Sequence, residues 1–190
     1  MAIFRCKASA EEDRPEIDFG HPVNKQNDWT HIRRILDGDS DSNEYPFVEI
    51  SVEEEDALEW DIYHSGGRGL YSSKFLDTIG ESSLYGLIPL PAYLNGGEYW
   101  YLRCEKTIDC IDREKSKFGT YFSTSTNSNE ISIIFKAVFI ESKIGKDMCF
   151  TLPDRKNFLY MTESVADHLI KANIKGMKLI RDVDMNDLTD

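Results

Sequence analysis

A stretch of about twenty residues occurs twice in this chain, ninety residues apart. Leu70–Leu90 reads strand, hydroxyl, helix, glycine, strand, and Tyr160–Ile180 repeats the order. At that offset Ser72 matches Thr162, Phe75 matches Val165, Asp77 matches Asp167, Ile79 matches Leu169, Leu84 matches Ile174 and Gly86 matches Gly176. Only the Asp and Gly positions are identities, yet the pattern has physical meaning. A Ser or Thr hydroxyl accepts a hydrogen bond from one of the unpaired N–H groups that open a helix. Phe75/Ile79 and Val165/Leu169 are four apart, so each pair lies on one helix face. The glycine then allows a tight turn into another apolar segment. Each unit is predicted to be strand, helix, turn, strand.

Around these units the pattern is mostly that of strands. Ile3–Lys7 reads as a short opening strand, and residues 8–28, polar and holding Pro15 and Pro22, as an extended loop. Trp29, Ile32, Ile35 and Leu36 have helical spacing, with Asn27 or Asp28 placed to cap. Asp37–Asn43 reads as a flexible acidic loop. It lacks the glycine and terminal glutamate of a calcium loop at the required positions. Pro46–Val52 alternates like a strand and Leu58–Ile62 resumes the alternation. Tyr99–Cys104 and Thr107–Asp112 are strand-like, residues 119–129 are Ser/Thr/Asn-rich and read as a loop, and Ile131–Ile140 reads as a central strand buried on both faces. The expected fold is α+β, with largely antiparallel sheets, two or three packed helices and the repeated unit. The expected division is an acidic region at 1–64 and a core at 65–190, with the units at 70–90 and 160–180.

Charge is distributed very unevenly. Residues 1–62 hold 17 Asp/Glu against 6 Lys/Arg, a net of −11, while the remaining residues hold 17 against 16, a net of −1. Such a field repels phosphate backbones and draws a basic protein surface. It therefore disfavours a nucleic acid as partner. The residues singled out for binding are Glu53, Glu54, Glu55, Asp56 and Glu59, four of them adjacent, with Asp39 and Asp41 as secondary candidates. An acidic face that serves solubility alone is the competing account.

Catalytic patterns are weak. Asp109 and Asp112 are three apart, which places them on opposite faces of an extended strand. Asp112 is expected to end that strand and bind local N–H groups beside Lys115 or Ser116. His21, His31, His64 and His168 have no motif neighbour. The Gly66–Gly69 cluster lacks the Gly-Lys-Ser/Thr of a phosphate loop. Cys6, Cys104, Cys110 and Cys149 form no Cys-x-x-Cys pair, so buried reduced thiols are expected rather than disulfides or a metal. No cofactor is called for. No apolar run reaches the roughly 20 residues that span a bilayer, and Met1–Lys7 lacks the apolar centre of a secretory signal. A cytoplasmic protein with no membrane partner is expected.

The middle of the chain resembles a known family. Tyr99-Trp-Tyr-Leu, then Ile108-Asp-Cys-Ile-Asp112 and Lys115-Ser116, are similar in order to the central signature of the eleventh immunity family of bacterial polymorphic toxin systems, a myxobacterial-type immunity domain. Ser72–Gly86 and Thr162–Gly176 resemble its flanking units. Phe150–Asn157 resembles its approach to the last unit, with Thr151 where an arginine is common, which removes one ion pair. The likeness covers roughly residues 45–181. It implies a non-enzymatic immunity protein that neutralises a cognate toxin by stoichiometric binding and occlusion of its active site. The acidic first third suits a basic toxin, such as a nuclease or another toxin acting on nucleic acid or nucleotides. The resemblance carries over no catalytic residue. The alternatives are a hydrolase that reverses a toxin's modification, with Asp109 or Glu105 as its carboxylates, and an acidic scaffold protein.

Overall fold

The computed structural model describes residues 1–8, 29–45, 48–50, 60–65, 68–123 and 128–184. Among them are eleven strands and three α-helices, an α+β fold. Strand β1 (Ile3–Ala8) and helix α1 (Trp29–Leu36) come first, followed by β2 (Glu49–Ile50), β3 (Ile62–Ser65) and β4 (Arg68–Ser72). Helix α2 (Ser73–Ile79) leads to β5 (Leu87–Leu94), β6 (Gly97–Cys104), β7 (Lys117–Ser123) and β8 (Ser128–Lys136). The chain closes with β9 (Cys149–Leu152), β10 (Arg155–Thr162), α3 (Glu163–Lys171) and β11 (Met177–Arg181).

Two sheets carry the fold. One has the order β11-β1-β10-β9 and is antiparallel throughout. The other has the order β2-β5-β6-β4-β3 and is antiparallel except for the short β2–β5 pairing. Strands from residues 1–64 enter both sheets. β1 lies between β10 and β11, while β2 and β3 form the two edges of the second sheet.

The two repeated units form as their pattern predicts. The first is β4-α2-β5 and the second β10-α3-β11. Phe75, Ile79, Val165 and Leu169 are buried and share one core with Cys6, Cys149, Leu159 and Met161. Asp77 and Asp167, the matching carboxylates, are exposed, so that identity has no packing role. Gly86 and Gly176 have φ of +60° and +75°, in the left-handed region where glycine alone is unstrained. At Gly86 a side chain would also strike Lys106, whose N–H donates to the Gly86 carbonyl at 3.2 Å.

Buried Asp61 ties the units together. Its Oδ1 accepts from the Ser72 hydroxyl at 2.8 Å, and its Oδ2 accepts from Lys74 at 3.2 Å and from the Lys175 N–H at 2.8 Å. Ser72 and Lys74 belong to the first unit and Lys175 to the second. One carboxylate therefore fixes the start of one helix against the turn after the other.

Three expectations are corrected. Residues 119–129 do not form one long loop: 117–123 and 128–136 pair as the β7–β8 hairpin, and only residues 124–127 fall outside the described chain. Ile131–Ile140 is not a central strand. Among the described residues β8 pairs with β7 alone, Phe135 and Lys136 are exposed, and the chain leaves the strand at Ala137. Thr107–Asp112 is not a ladder strand: among the described residues it makes an isolated bridge, Ile111 to Phe139, and separate backbone hydrogen bonds to Thr151, Val138 and Ile140. Its apolar residues Ile108, Cys110 and Ile111 instead fill a second core with Phe139, Phe150 and Tyr160.

Candidate functional site

Helix α1 buries Ile32, Ile35 and Leu36 and leaves His31, Arg33 and Arg34 exposed, the amphipathic pattern that docks a helix by one face. It ends in a Schellman turn, in which the Asp39 N–H donates to the Arg34 carbonyl at 2.8 Å and the Gly38 N–H to the Ile35 carbonyl at 3.0 Å. Gly38 has φ +76°, and a Cβ there would collide with the Cys104 carbonyl oxygen at the end of β6. Buried Arg103, on the same strand, donates from one nitrogen to the carbonyls of Ile35 (2.8 Å) and Ser40 (2.7 Å). The acidic stretch that composition marks as flexible is therefore held against β6 from Ile35 to Ser40.

This placement presents Asp37 and Asp39 to two other parts of the chain. Arg68, at the start of β4, is 7% exposed and donates to the Asp37 carboxylate and, at 3.3 Å, to the Lys156 carbonyl. Lys156, on β10, donates to the Asp37 carbonyl and to the Asp39 carboxylate, both at 2.9 Å. At the β9–β10 turn, Asp154 accepts from Arg113 at 2.9 Å. Arg33, Asp37, Asp39, Arg68, Asp154 and Lys156 line an open groove of about 430 Å³. It is a polar cleft in which Asp37, Asp39, Arg68 and Lys156 hold one another.

Of the residues predicted to bind, Asp39 lines this groove. Asp41 is exposed, and its carboxylate accepts from the Asn43 N–H at 3.0 Å, capping a short 3-10 turn at Ser42–Glu44. Glu53, Glu54, Glu55, Asp56 and Glu59 lie outside the described residues. Sequence reasoning missed Asp37, Arg68, Asp154 and Lys156 as a group. The glycine after an amphipathic helix was a signal for the turn that orients Asp37, and nothing local marked its partners.

The other carboxylates have structural surroundings. Asp112 accepts from the backbone N–H groups of Glu114 (3.2 Å) and Lys115 (3.1 Å), and its Oδ2 pairs with the Lys115 ammonium at 2.9 Å, as its position predicts. The Lys115 hydrogen bond holds the Asp112 carboxyl below its ordinary range, with the backbone donors acting in the same direction. Next to it, the Ser116 hydroxyl accepts from the Val138 N–H at 2.9 Å and stitches the segment to the chain beyond β8. Glu105 pairs with Arg103, and Asp109 is exposed. His31 and His168 are exposed, and His21 lies outside the described residues.

All four cysteines are free and buried. Burial pushes the Cys6 and Cys110 thiols up to about 12 and Cys149 higher still, so these three are neutral at physiological pH. Thr151 is buried on β9, with its hydroxyl 3.0 Å from the Cys104 sulfur. No helix among the described residues is long and apolar enough to cross a membrane. No protein-family model matches the chain, and no curated protein matches it significantly in sequence.

Proposed function

We propose that this chain is an immunity protein of the polymorphic-toxin type. It acts in the cytoplasm of the producing cell by binding a cognate toxin one to one and covering its active site. The observation that carries this reading is the division of charge, −11 in residues 1–62 against −1 in the rest. The docked Asp37–Ser40 segment supports it, because it fixes part of that charge in one orientation before any partner arrives, and pre-ordering lowers the cost of binding. The order of the Tyr99–Leu102, Ile108–Asp112 and Lys115–Ser116 motifs supports it too. The toxin is a basic protein, such as a nuclease or another enzyme acting on nucleic acid or nucleotides.

The test is to look for a toxin domain encoded by an adjacent gene and to co-express it with this chain, followed by co-purification and titration of protection. Protection that saturates at one copy per toxin is the expected result. Protection at a small fraction of that amount would replace occlusion with an enzyme that reverses the toxin's modification. Association is expected to slow with added salt, because screening acts over only about 8 Å at physiological ionic strength. Reversing Glu53, Glu54 and Asp56 to Lys is expected to slow association with little change in folding. Unchanged rates with full protection would remove that run from the interface.

A further inference from the structure

We infer that the slot between β10 and β11 is a strand-acceptor site, filled within one chain by β1 and able to take the β1 of a second copy, so that two chains exchange this strand and dimerise. The slot is defined by a repeat that runs beyond the two helical units. β3-β4-α2-β5 is completed by β6, which lies between β4 and β5, and β9-β10-α3-β11 is completed by β1, which lies between β10 and β11. All of these pairings are antiparallel. The register agrees residue for residue. With Thr162 set on Ser72, Thr162↔Ile3 falls on Ser72↔Tyr99 and Tyr160↔Arg5 on Leu70↔Tyr101. On the other side of the strand, Leu179↔Cys6 falls on Pro89↔Leu102 and Met177↔Ala8 on Leu87↔Cys104. β10 and β11 therefore hold a place for one strand in one register, however that strand is attached.

The attachment is what differs. β6 follows β5 through the two-residue turn Asn95-Gly96, both at positive φ, and cannot leave its place without pulling on β5. The end of β11 and the start of β1 are neighbours too, at Arg181↔Phe4, but no turn joins them. β1 is instead tied to α1 through residues 9–28, and twenty residues reach at most about 65–70 Å. Burial gives the strand its hold: Cys6 enters the core shared by the two units and Ile3 the second core. The ladders and core contacts of β1 are the same whichever copy supplies it, which is the condition for exchange of an identical element between protomers. A flexible connection keeps β1 near its own slot at an effective concentration on the order of millimolar. The closed monomer therefore dominates at micromolar chain, and exchange competes when chains fold at millimolar concentration. Withdrawing β1 breaks two ladders at once, so an exchanged dimer persists on dilution.

The experiment refolds the full chain from urea, under reducing conditions, at about 10 µM and at about 1 mM, the second matching the effective concentration of the tethered strand. Both samples are then diluted and their masses measured by size-exclusion chromatography with light scattering. Monomer is expected from the first and roughly one third to one half dimer from the second. Monomer alone from both would overturn the proposal. A second measurement identifies the exchanged strand. Lys7 and Lys178 are cross-strand partners on β1 and β11, outside the buried core, so Lys7→Cys and Lys178→Cys leave the packing intact. Chains carrying one substitution are refolded together with chains carrying the other at about 1 mM and then oxidised. Entry of one chain's β1 into the other's slot brings positions 7 and 178 of different chains within disulfide reach. The 7–178 link is expected to exceed the 7–7 and 178–178 links about fivefold or more, because only that pair is held in register. Equal amounts of the three links would show chance collision and overturn the proposal, even if the unsubstituted chain dimerises. So would an equal yield of the 7–178 link from chains folded apart and mixed only afterwards.

Discussion

The unit β4-α2-β5 and the unit β10-α3-β11 follow one path, yet the hydroxyls that open their helices do different work. Ser72 accepts from the Phe75 N–H at 3.2 Å and donates to Asp61, so it caps α2 and ties it to a neighbouring segment. Thr162 makes no side-chain cap bond. It is fully buried, and its hydroxyl accepts from the Met148 N–H at 3.1 Å, holding the segment that enters β9. The helices differ in length as well. α2 stops after seven residues at Gly80, with φ +69°, while α3 runs for nine. What the units share is the placement of apolar residues and a left-handed glycine. The polar role at each helix start is set by whatever packs there: Asp61 in one case, the Lys146–Met148 segment in the other.

The apolar half of the comparison is tested by truncation. Phe75→Ala and Leu169→Ala are each expected to cost about 2–5 kcal/mol, through lost burial and the cavity left behind. Both side chains are fully buried in the same core, and Phe75 also stacks on Tyr71 at 4.6 Å between ring centroids. Urea unfolding checks this. A wild-type midpoint in one variant alone would mean that only one unit bears on the common core.

That core also contains Cys6 and Cys149, which links both units to pH. In the unfolded chain a thiol ionises near 8.5, whereas burial raises both of these far above that. The folded state therefore retains protons that the unfolded state gives up. The thiol contribution is intact below about pH 8.5 and is lost as pH rises toward the folded values. The expected loss is about 1.4 kcal/mol per thiol for each pH unit. Cys110, raised to about 12 in the second core, adds a third thiol with the same sign. Urea titrations at pH 8, 9 and 10, followed by probes on α2 and α3, should show both helices unfolding together at each pH. Constant stability over that range would show that the thiols reach solvent, and separated transitions would show that the units do not share one core.

The parts of the fold legible in the sequence are those where one short segment carries its own reason. Ile32, Ile35 and Leu36 announce α1, and Phe75/Ile79 and Val165/Leu169 with Gly86 and Gly176 announce the units. The β7–β8 hairpin is hidden in the sequence because, among the described residues, its two strands pair only with each other, and Ser, Thr and Asn around 119–129 carry the composition of a turn. Thr107–Asp112 alternates like a strand through Cys110, but Ile111 is also buried, since a bridge to Phe139 replaces a ladder. At the groove, charge alone marked Asp39. The partners of Asp37 lie 31 and 119 residues away, at Arg68 and Lys156, and periodicity within a segment carries no record of such pairings.

The smallest effects separate the two helix starts most sharply. Ser72→Ala removes a cap and is expected to cost about 1 kcal/mol. Thr162→Val keeps the shape but leaves the Met148 N–H without its acceptor, a similar cost with a different location. Global unfolding would hardly tell the variants apart, so amide hydrogen exchange is the measurement to use. In Ser72→Ala the Phe75 amide loses the acceptor it has in the native chain, and its protection should fall while the amides opening α3 keep theirs. In Thr162→Val protection should fall at Met148, and the first turn of α3 should be unaffected because Thr162 never capped it. Loss of protection in the first turn of α3 would show that Thr162 is a cap after all, and the two units would then be alike in their polar chemistry as well as in their apolar pattern.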